Sequence, residues 1–207
     1  MQTLVPDALA ALRAVRPSRV GIHLSDYVAV VQAIGSLAGS LPGVTSMAAA
    51  DVAGNVQKLR LRAQASEGPD PTIEQLCDQE LHSSGWKQLL HPKNIDGSAC
   101  TTLLWLQRAM RFVLRVLHQL VFGQGSVSAA LNAAYGATLR RHHSVILRGA
   151  FVMAAHTAPS RESFLRTVTG HSRTGVEALA CLVDESSAFF GEIDGMLIAA
   201  EVEARIC

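Results

Sequence analysis

Apolar residues recur every three or four positions along most of this chain, the spacing expected of helices that bury one face. A half-buried strand would instead alternate apolar and polar residues, and the sequence contains no sustained alternation of that kind. It also lacks Asn-Gly or Asp-Gly turns between β-branched runs, which would indicate hairpins. The pattern therefore predicts an all-helical fold.

Helix-capping and helix-breaking residues divide this pattern into segments. Serine or threonine begins most of them, and glycine or proline follows the last apolar residue. Because no linker or repeat separates the segments, residues 1–207 are expected to form a single domain. The predicted helices span 25 to about 41, 45 to about 65, a short segment ending near 82, 98–122, 126 to about 158, 160–170, and about 173 to 205 as one helix or two.

The chain is rich in apolar side chains, with 49% hydrophobic and 17% charged residues among its 207. A domain of this length can bury a large core. Part of the apolar excess would be enough to line an internal cavity. An alanine-rich core explains the same composition, so composition alone leaves both interpretations open.

Charge and cysteine spacing narrow the classes of partner. The formal net charge of +1 gives no field that would attract nucleic acid. Cysteines at 77, 100, 181 and 207 show no metal-ligand spacing, and neither a metal nor another cofactor is predicted. No signal pattern and no apolar run of the ~18–20 residues that span a bilayer is found, so we expect a cytoplasmic protein with transient, peripheral membrane contact.

A polar stripe marks the predicted helix 45–65. Asp51, Asn55 and Lys58 are spaced so that they share one helix face. A carboxylate accepts hydrogen bonds, an ammonium donates them and an amide does both, which is the mixture that sugar hydroxyls require. A solvated helix face has the same pattern, so the stripe alone does not establish a site.

Aromatic and imidazole groups stand in two other predicted helices. Trp105 either packs in the core of helix 98–122 or offers a flat face to a ligand ring. His142 and His143 lie in helix 126–158, where neighbours point to different sides, so only one is expected to face a site. No histidine or carboxylate recurs four residues from either, which argues against a metal site.

Together and in this order, these segments resemble the glycolipid transfer protein family. Its members carry Asp-x-x-x-Asn-x-x-Lys, Leu-x-Trp-Leu-x-Arg, and Tyr-His or His-His motifs, the last followed by an Ala-Ala-x-x-Ala-Pro turn. The similarity covers about Leu24 to Gly170 and implies a two-layer helical sandwich of about eight helices enclosing an apolar lipid tunnel. The matching positions here are Asp51 to Lys58, Leu103 to Arg108, His142-His143 and Ala154 to Pro159.

The resemblance also implies what each residue does. Asp51, Asn55 and Lys58 would hydrogen-bond the sugar of a glycosylceramide, and Trp105 would stack beneath the sugar ring. Asp51 would accept from the ceramide amide N–H, and His143 would donate to its C=O. Arg108, one turn from Trp105, is a further headgroup candidate. The implied activity is non-enzymatic transfer of glycosphingolipids between membranes.

Hydrocarbon chains require an apolar lining, because each buried CH₂ contributes about 0.8 kcal/mol. Core packing explains any single candidate for that lining equally well. Position 145 is valine where family members commonly carry a membrane-docking tryptophan, so weaker docking is expected. The lining candidates are Leu37, Phe112, Val116, Leu120, Leu139, Phe151, Phe164 and Val168.

Several alternatives stay open. A ceramide-1-phosphate carrier would need additional cations at the headgroup; Asn55 and Trp105 favour a sugar, whereas Arg108 is compatible with phosphate. A sensor or adaptor would bind the lipid with little transfer. An enzyme is disfavoured because no nucleophile motif, phosphate loop or metal set accompanies Asp51 and His143. Ligand-driven pairing of two copies also stays open.

Overall fold

The computed structural model describes residues 4–40, 45–66, 68–89, 97–170, 172–200, 202 and 204, with the backbone alone for 45–48 and 83–89. Within these residues the secondary structure is helical, and no β-strand is formed. One isolated antiparallel bridge joins His23 to Thr72. The all-helical prediction is confirmed.

The helices follow one another with short connections. Among those described, none combines the length and apolar character needed to cross a bilayer. The helices are α1 (Leu4–Arg13), α2 (Leu24–Ala38), α3 (Thr45–Gln64), α4 (Ile73–Leu89), α5 (Ala99–Phe122), α6 (Val127–Ala137), α7 (Val145–His156), α8 (Arg161–Thr169) and α9 (Arg173–Ala199), with a short 3-10 helix at Arg140–His142.

Serine caps begin three helices where the sequence predicted them. The side chains of Ser98, Ser126 and Ser160 accept hydrogen bonds from backbone N–H groups in the first turns of α5, α6 and α8. Gly170 ends α8 in the left-handed conformation with φ of 64°. These boundaries are confirmed because local capping chemistry decides them.

The predicted single helix over 126–158 is wrong. α6 ends at Ala137, the 3-10 turn follows, and α7 begins at Val145. Ser144 has extended backbone angles and its side chain accepts from the N–H of Leu147, so it caps α7. The Arg148 guanidinium, which donates to the backbone carbonyl of Arg140, bridges the break.

Two further helix boundaries differ from the prediction. α4 continues to Leu89 instead of ending near His82. α1 was not among the predicted helices, and its short sequence contains a proline. Pro6 lies in the first turn, where a helix needs no N–H donor, and α1 buries Val5 and Leu9 among other apolar residues.

α5 is the central helix of the fold. It packs against α2, α3, α4, α6 and α9, whereas α1 packs against α2 and α9. The Gln107 side-chain amide donates to the Phe190 carbonyl oxygen at 3.0 Å and to the Asp194 carboxylate at 2.7 Å. Arg111 donates to the other oxygen of that carboxylate at 2.7 Å. These hydrogen bonds join α5, which carries Trp105, to α9.

Candidate functional site

A cavity of about 1080 Å³ lies among α2, α3, α5 and the connection from α6 to α7. Three separate parts of the sequence contribute its polar wall. The structure brings together every residue predicted for the sugar and the amide: Asp51, Asn55, Lys58, Trp105 and His143 all line this cavity.

The polar stripe of α3 forms one side of the cavity wall. Asn55 is only 5% exposed and its side chain hydrogen-bonds to Asp51, whereas Asp51 and Lys58 are exposed. Burial of the carboxyl group raises the pKa of Asp51, and the nearby Lys58 and His143 together with the Asn55 hydrogen bond oppose that rise. The stripe is therefore a connected polar group at a cavity mouth, which distinguishes it from a solvated helix face.

Trp105 contacts two imidazole rings and a guanidinium group. Its indole lies nearly parallel to the His143 ring, with centroids 6.5 Å apart and an interplanar angle of 25°. The His142 ring meets it edge-on at 5.9 Å. The Arg108 guanidinium carbon lies 5.1 Å from the indole centroid, a cation–π contact. These contacts fix the orientation of the indole at the cavity wall.

Arg108 is not placed as a headgroup residue. It is 3% exposed and is not among the described residues that line the cavity. One helical turn from Trp105, it lies on the buried side of α5 and supports the indole. In this structure Arg108 therefore lies behind the indole, and its role toward a headgroup stays a prediction.

Both histidines line the cavity, so the expectation that only one would face a site is wrong. That expectation assumed the rotation of about 100° per residue of an α-helix. His142 instead ends the 3-10 helix, and His143 is extended with φ of −96° and ψ of 144°. The break between α6 and α7 thus turns both imidazoles toward Trp105.

His143 has three polar neighbours, namely Asp51, Arg148 and Tyr135. Burial lowers the pKa of its imidazole, while the charge of Asp51 acts to raise it and that of Arg148 to lower it. The hydroxyl oxygen of Tyr135 lies 3.0 Å from His143 Nδ1. Sequence reasoning gave Tyr135 no role, because its position on α6 reveals a contact with His143 only once the helix break is known.

Three of the eight predicted lining residues lie at the cavity: Phe112, Leu139 and Phe151. The rings of Phe112 and Phe151 meet edge-to-face at 5.7 Å. The other five do not line this cavity in the structure and pack in the core, because apolar periodicity indicates burial without identifying the neighbour. Their contact with a hydrocarbon chain stays a prediction. Those five, all buried, are Leu37, Val116, Leu120, Phe164 and Val168.

Small residues form a part of the wall that was not predicted. Large apolar side chains were sought as lining, yet a cavity also requires positions where side chains leave space. Spacing of small residues on the facing sides of α2 and α3 could have indicated it. These residues are Gly35, Ser36, Ala38, Gly39 and Ser40 on or just after α2, and Ala49 and Ala53 on α3.

The chain is similar in sequence and in fold to several known proteins. Human "Pleckstrin homology domain-containing family A member 8" is 30% identical over 146 residues, which are 70% of this chain and 26% of that protein. Mouse ceramide-1-phosphate transfer protein, in its apo form, has a TM-score of 0.82 at 23% identity over 100% of this chain and 99% of that one. FAPP2, a protein that selects simple glycosphingolipids using the GLTP fold, has a TM-score of 0.77 at 22% identity over 92% of each chain.

These similarities confirm the two-layer helical fold that the sequence motifs implied. The family model for "Glycolipid transfer protein (GLTP)" matches residues 22–170, well over half of the chain. Family members with this fold are lipid transfer proteins. The chain belongs to the glycolipid transfer protein family.

Proposed function

We propose that this protein carries a sugar-headed sphingolipid, a glycosylceramide, between membranes without altering it chemically. The observation that carries the proposal is the convergence of a carboxylate, an amide, an ammonium, an indole and an imidazole on one cavity wall. No single group in this set is specific to a lipid. The set as a whole matches the chemistry of a sugar linked to an amide.

The amide of the ceramide is matched by one acceptor and one donor. Asp51, when ionised, only accepts, so it suits the amide N–H; a neutral His143 offers one ring N–H, which suits the C=O. Asp51 and His143 line the same cavity, and the charge of each influences the pKa of the other. A lipid without the amide would leave these groups unpaired, so the pair selects for ceramide.

The sugar is matched by the rest of the wall. Asn55 and Lys58 supply hydrogen-bond donors and an acceptor for hydroxyl groups, and Trp105 offers the flat apolar face on which a sugar ring can stack. Because His142, His143 and Arg108 already hold the indole, little orientational freedom is lost when a ring stacks on it.

The hydrocarbon chains supply the energetic reason for a cavity. Exposing two lipid chains to water would cost well over ~10 kcal/mol at about 0.8 kcal/mol per CH₂. A carrier lowers that cost only by offering an apolar surface in place of the bilayer. Phe112, Phe151 and Leu139 offer such a surface next to the polar wall.

An apolar patch beside the cavity supports transient membrane contact. Val145 and Ile146, in the first turn of α7, are 80% and 83% exposed. Their neighbours Ser144 and Leu147 line the cavity, so the patch adjoins the site. Exposed aliphatic side chains at this position favour insertion into the headgroup boundary of a bilayer. Because valine and isoleucine are smaller than tryptophan, weaker docking on the membrane stays the prediction.

A phosphate headgroup is the main rival, because solved structures of similar fold include ceramide-1-phosphate transfer proteins. A phosphate favours several cations within reach. Among the described residues that line the cavity, Lys58 is the one lysine or arginine. This charge count favours the neutral sugar.

Transfer between vesicles tests the proposal. Donor vesicles of phosphatidylcholine would carry either fluorescent glucosylceramide or fluorescent ceramide-1-phosphate, and the rate of appearance in acceptor vesicles is measured. Faster transfer of glucosylceramide is expected. Preference for the phosphate lipid would overturn the headgroup assignment. Tight binding with negligible transfer would indicate a sensor, and a chemically altered lipid would indicate an enzyme.

A further inference from the structure

Tyr135 and His143 are joined across the break between α6 and α7. The Tyr135 hydroxyl oxygen and His143 Nδ1 are 3.0 Å apart, within hydrogen-bonding distance. Tyr135 is 3% exposed, and its ring stacks on Phe151 with centroids 3.7 Å apart and an interplanar angle of 9°. Phe151 belongs to α7, so the phenol is held from both sides of the break. Its hydroxyl therefore has little freedom to turn away.

The surroundings of this hydrogen bond favour the phenol as its donor. Burial raises the pKa of Tyr135 above its ordinary value, so the hydroxyl stays protonated. Burial also lowers the pKa of His143, which favours the neutral imidazole with a single N–H. The Tyr135 hydroxyl has its one described partner in Nδ1. Donation from the hydroxyl to Nδ1 satisfies the proton of the phenol, whereas donation in the other direction would leave that proton without an acceptor among the residues that the structure describes.

We infer that Tyr135 is a positioning residue that fixes His143 in the tautomer with its proton on Nε2, so that this nitrogen donates to the amide carbonyl of a bound lipid. Nδ1 and Nε2 lie on opposite edges of the ring, and Tyr135 occupies the first. The stack of His143 against Trp105 fixes the plane of the ring. Nε2 is thus the nitrogen that remains to meet a ligand in the cavity.

The tautomer decides whether the site attracts or repels an amide. With the proton on Nδ1, Nε2 would present a lone pair to the amide C=O, and two acceptors would face each other. With the proton on Nε2, the same contact is a hydrogen bond. The inference rests on the proposed function for its ligand, but the tautomer itself is a property of the ligand-free protein.

The tautomer is tested first without lipid. Nitrogen NMR of protein labelled with ¹⁵N-histidine distinguishes the two neutral forms, and a His143→Gln spectrum assigns the signals among the 8 histidines. We expect the Nε2–H form in the wild-type protein and a mixture of both forms in Tyr135→Phe, which keeps the ring stack. An Nδ1–H form in the wild type, or unchanged populations in the variant, would overturn the inference.

The chain offers a matched control in Tyr27, the other of its 2 tyrosines. Tyr27 is fully buried and its hydroxyl has no hydrogen-bond partner among the described residues. Tyr27→Phe should leave the His143 signals unchanged. If Tyr135→Phe fails to fold, the wild-type spectrum alone still decides the tautomer.

Lipid binding then tests whether the Nε2–H tautomer contributes to recognition of the amide carbonyl. We expect Tyr135→Phe to bind glucosylceramide about twofold more weakly than the wild type, because an even mixture of tautomers halves the population of the Nε2–H form that can donate to the amide. Glucosylsphingosine has no amide carbonyl, so its affinity should not change. Equal losses for both lipids would contradict a role in amide recognition. If the wild type binds neither lipid, the proposed function fails while the NMR result on the tautomer stands.

Discussion

Replacement of Asp51 by valine removes the one group in the cavity wall that would contact both the amide and the sugar. Valine has a similar size but neither accepts a hydrogen bond nor carries charge. The amide N–H of a bound ceramide would be left without an acceptor in a partly desolvated site. Lys58 and His143 would also lose a neighbouring negative charge. Binding should therefore weaken because of this single change.

The expected magnitude follows from the type of hydrogen bond lost. A bond to a charged group contributes about 1.5–3 kcal/mol. At 1.36 kcal/mol per factor of ten, this corresponds to about 10-fold to 150-fold weaker binding of glucosylceramide. The Asp51 carboxyl is partly desolvated at the cavity and its ionisation opposes folding, so its removal is not expected to lower folding stability. Loss of binding and loss of fold are thus separable.

Binding is measured by fluorescence titration with labelled glucosylceramide, transfer by the vesicle assay, and folding by circular dichroism. Asp184→Val is the control, since Asp184 is also an exposed aspartate in the middle of a helix but lies on α9, away from the cavity. Binding within twofold of wild type in a folded Asp51→Val protein would refute the assigned role of Asp51.

Other substitutions probe the remaining parts of the site. Trp105→Ala should weaken glucosylceramide binding by about tenfold and ceramide binding less, because only the sugar would stack on the indole. Equal losses for both lipids would indicate a disturbed fold and contradict stacking on the sugar. The double variant Val145→Ser, Ile146→Ser should slow vesicle transfer without changing the affinity for a short-chain glycolipid in solution. An unchanged transfer rate would contradict a role of the patch in membrane docking. Burial raises the folded-state pKa of Asp51, so its ionisation opposes folding at about pH 7. Asp51→Asn should therefore raise the Tm of the lipid-free protein at about pH 7 and lose that advantage near about pH 3, where the carboxyl is protonated in both states; a lower Tm at pH 7 would contradict the sign.

Local capping chemistry made much of the fold predictable. Ser98, Ser126 and Ser160 are followed at once by apolar periodicity, and each begins a helix in the structure. Ser144 is an equally good cap, but it interrupts a run that is apolar on both sides. Periodicity favoured continuing the helix there, whereas the side-chain hydrogen bond to Leu147 ends it.

The candidate site was predictable to a different extent. Helical spacing alone placed Asp51, Asn55 and Lys58 on one face, and they line the cavity together. Bringing Trp105 and His143 to them required the family resemblance, since spacing within one helix says nothing about contacts between helices. The second histidine could not be predicted, because its orientation depends on the turn at Arg140–His142.

The residues predicted to line a hydrocarbon-chain pocket show most clearly what the sequence could not predict. Leu37 and Phe112 occupy similar positions in apolar stripes, yet Phe112 lines the cavity and Leu37 is buried in the core. A stripe identifies the inward face of a helix. Whether that face meets another side chain or open space depends on the residues opposite, which belong to distant parts of the sequence.

The glycine and serine wall of α2 makes the capacity of this carrier adjustable by small steps. A methyl group added at Gly35 would lie 3.8 Å from Val52 Cγ1, an ordinary van der Waals distance, so alanine fits there without displacing the helices. Enlargement at Gly35 would subtract volume from the cavity while Asp51 and Trp105 on the opposite elements stay in place. Selection for a larger or smaller ligand can therefore proceed through a substitution on α2, independently of the residues proposed to bind the polar end of the lipid.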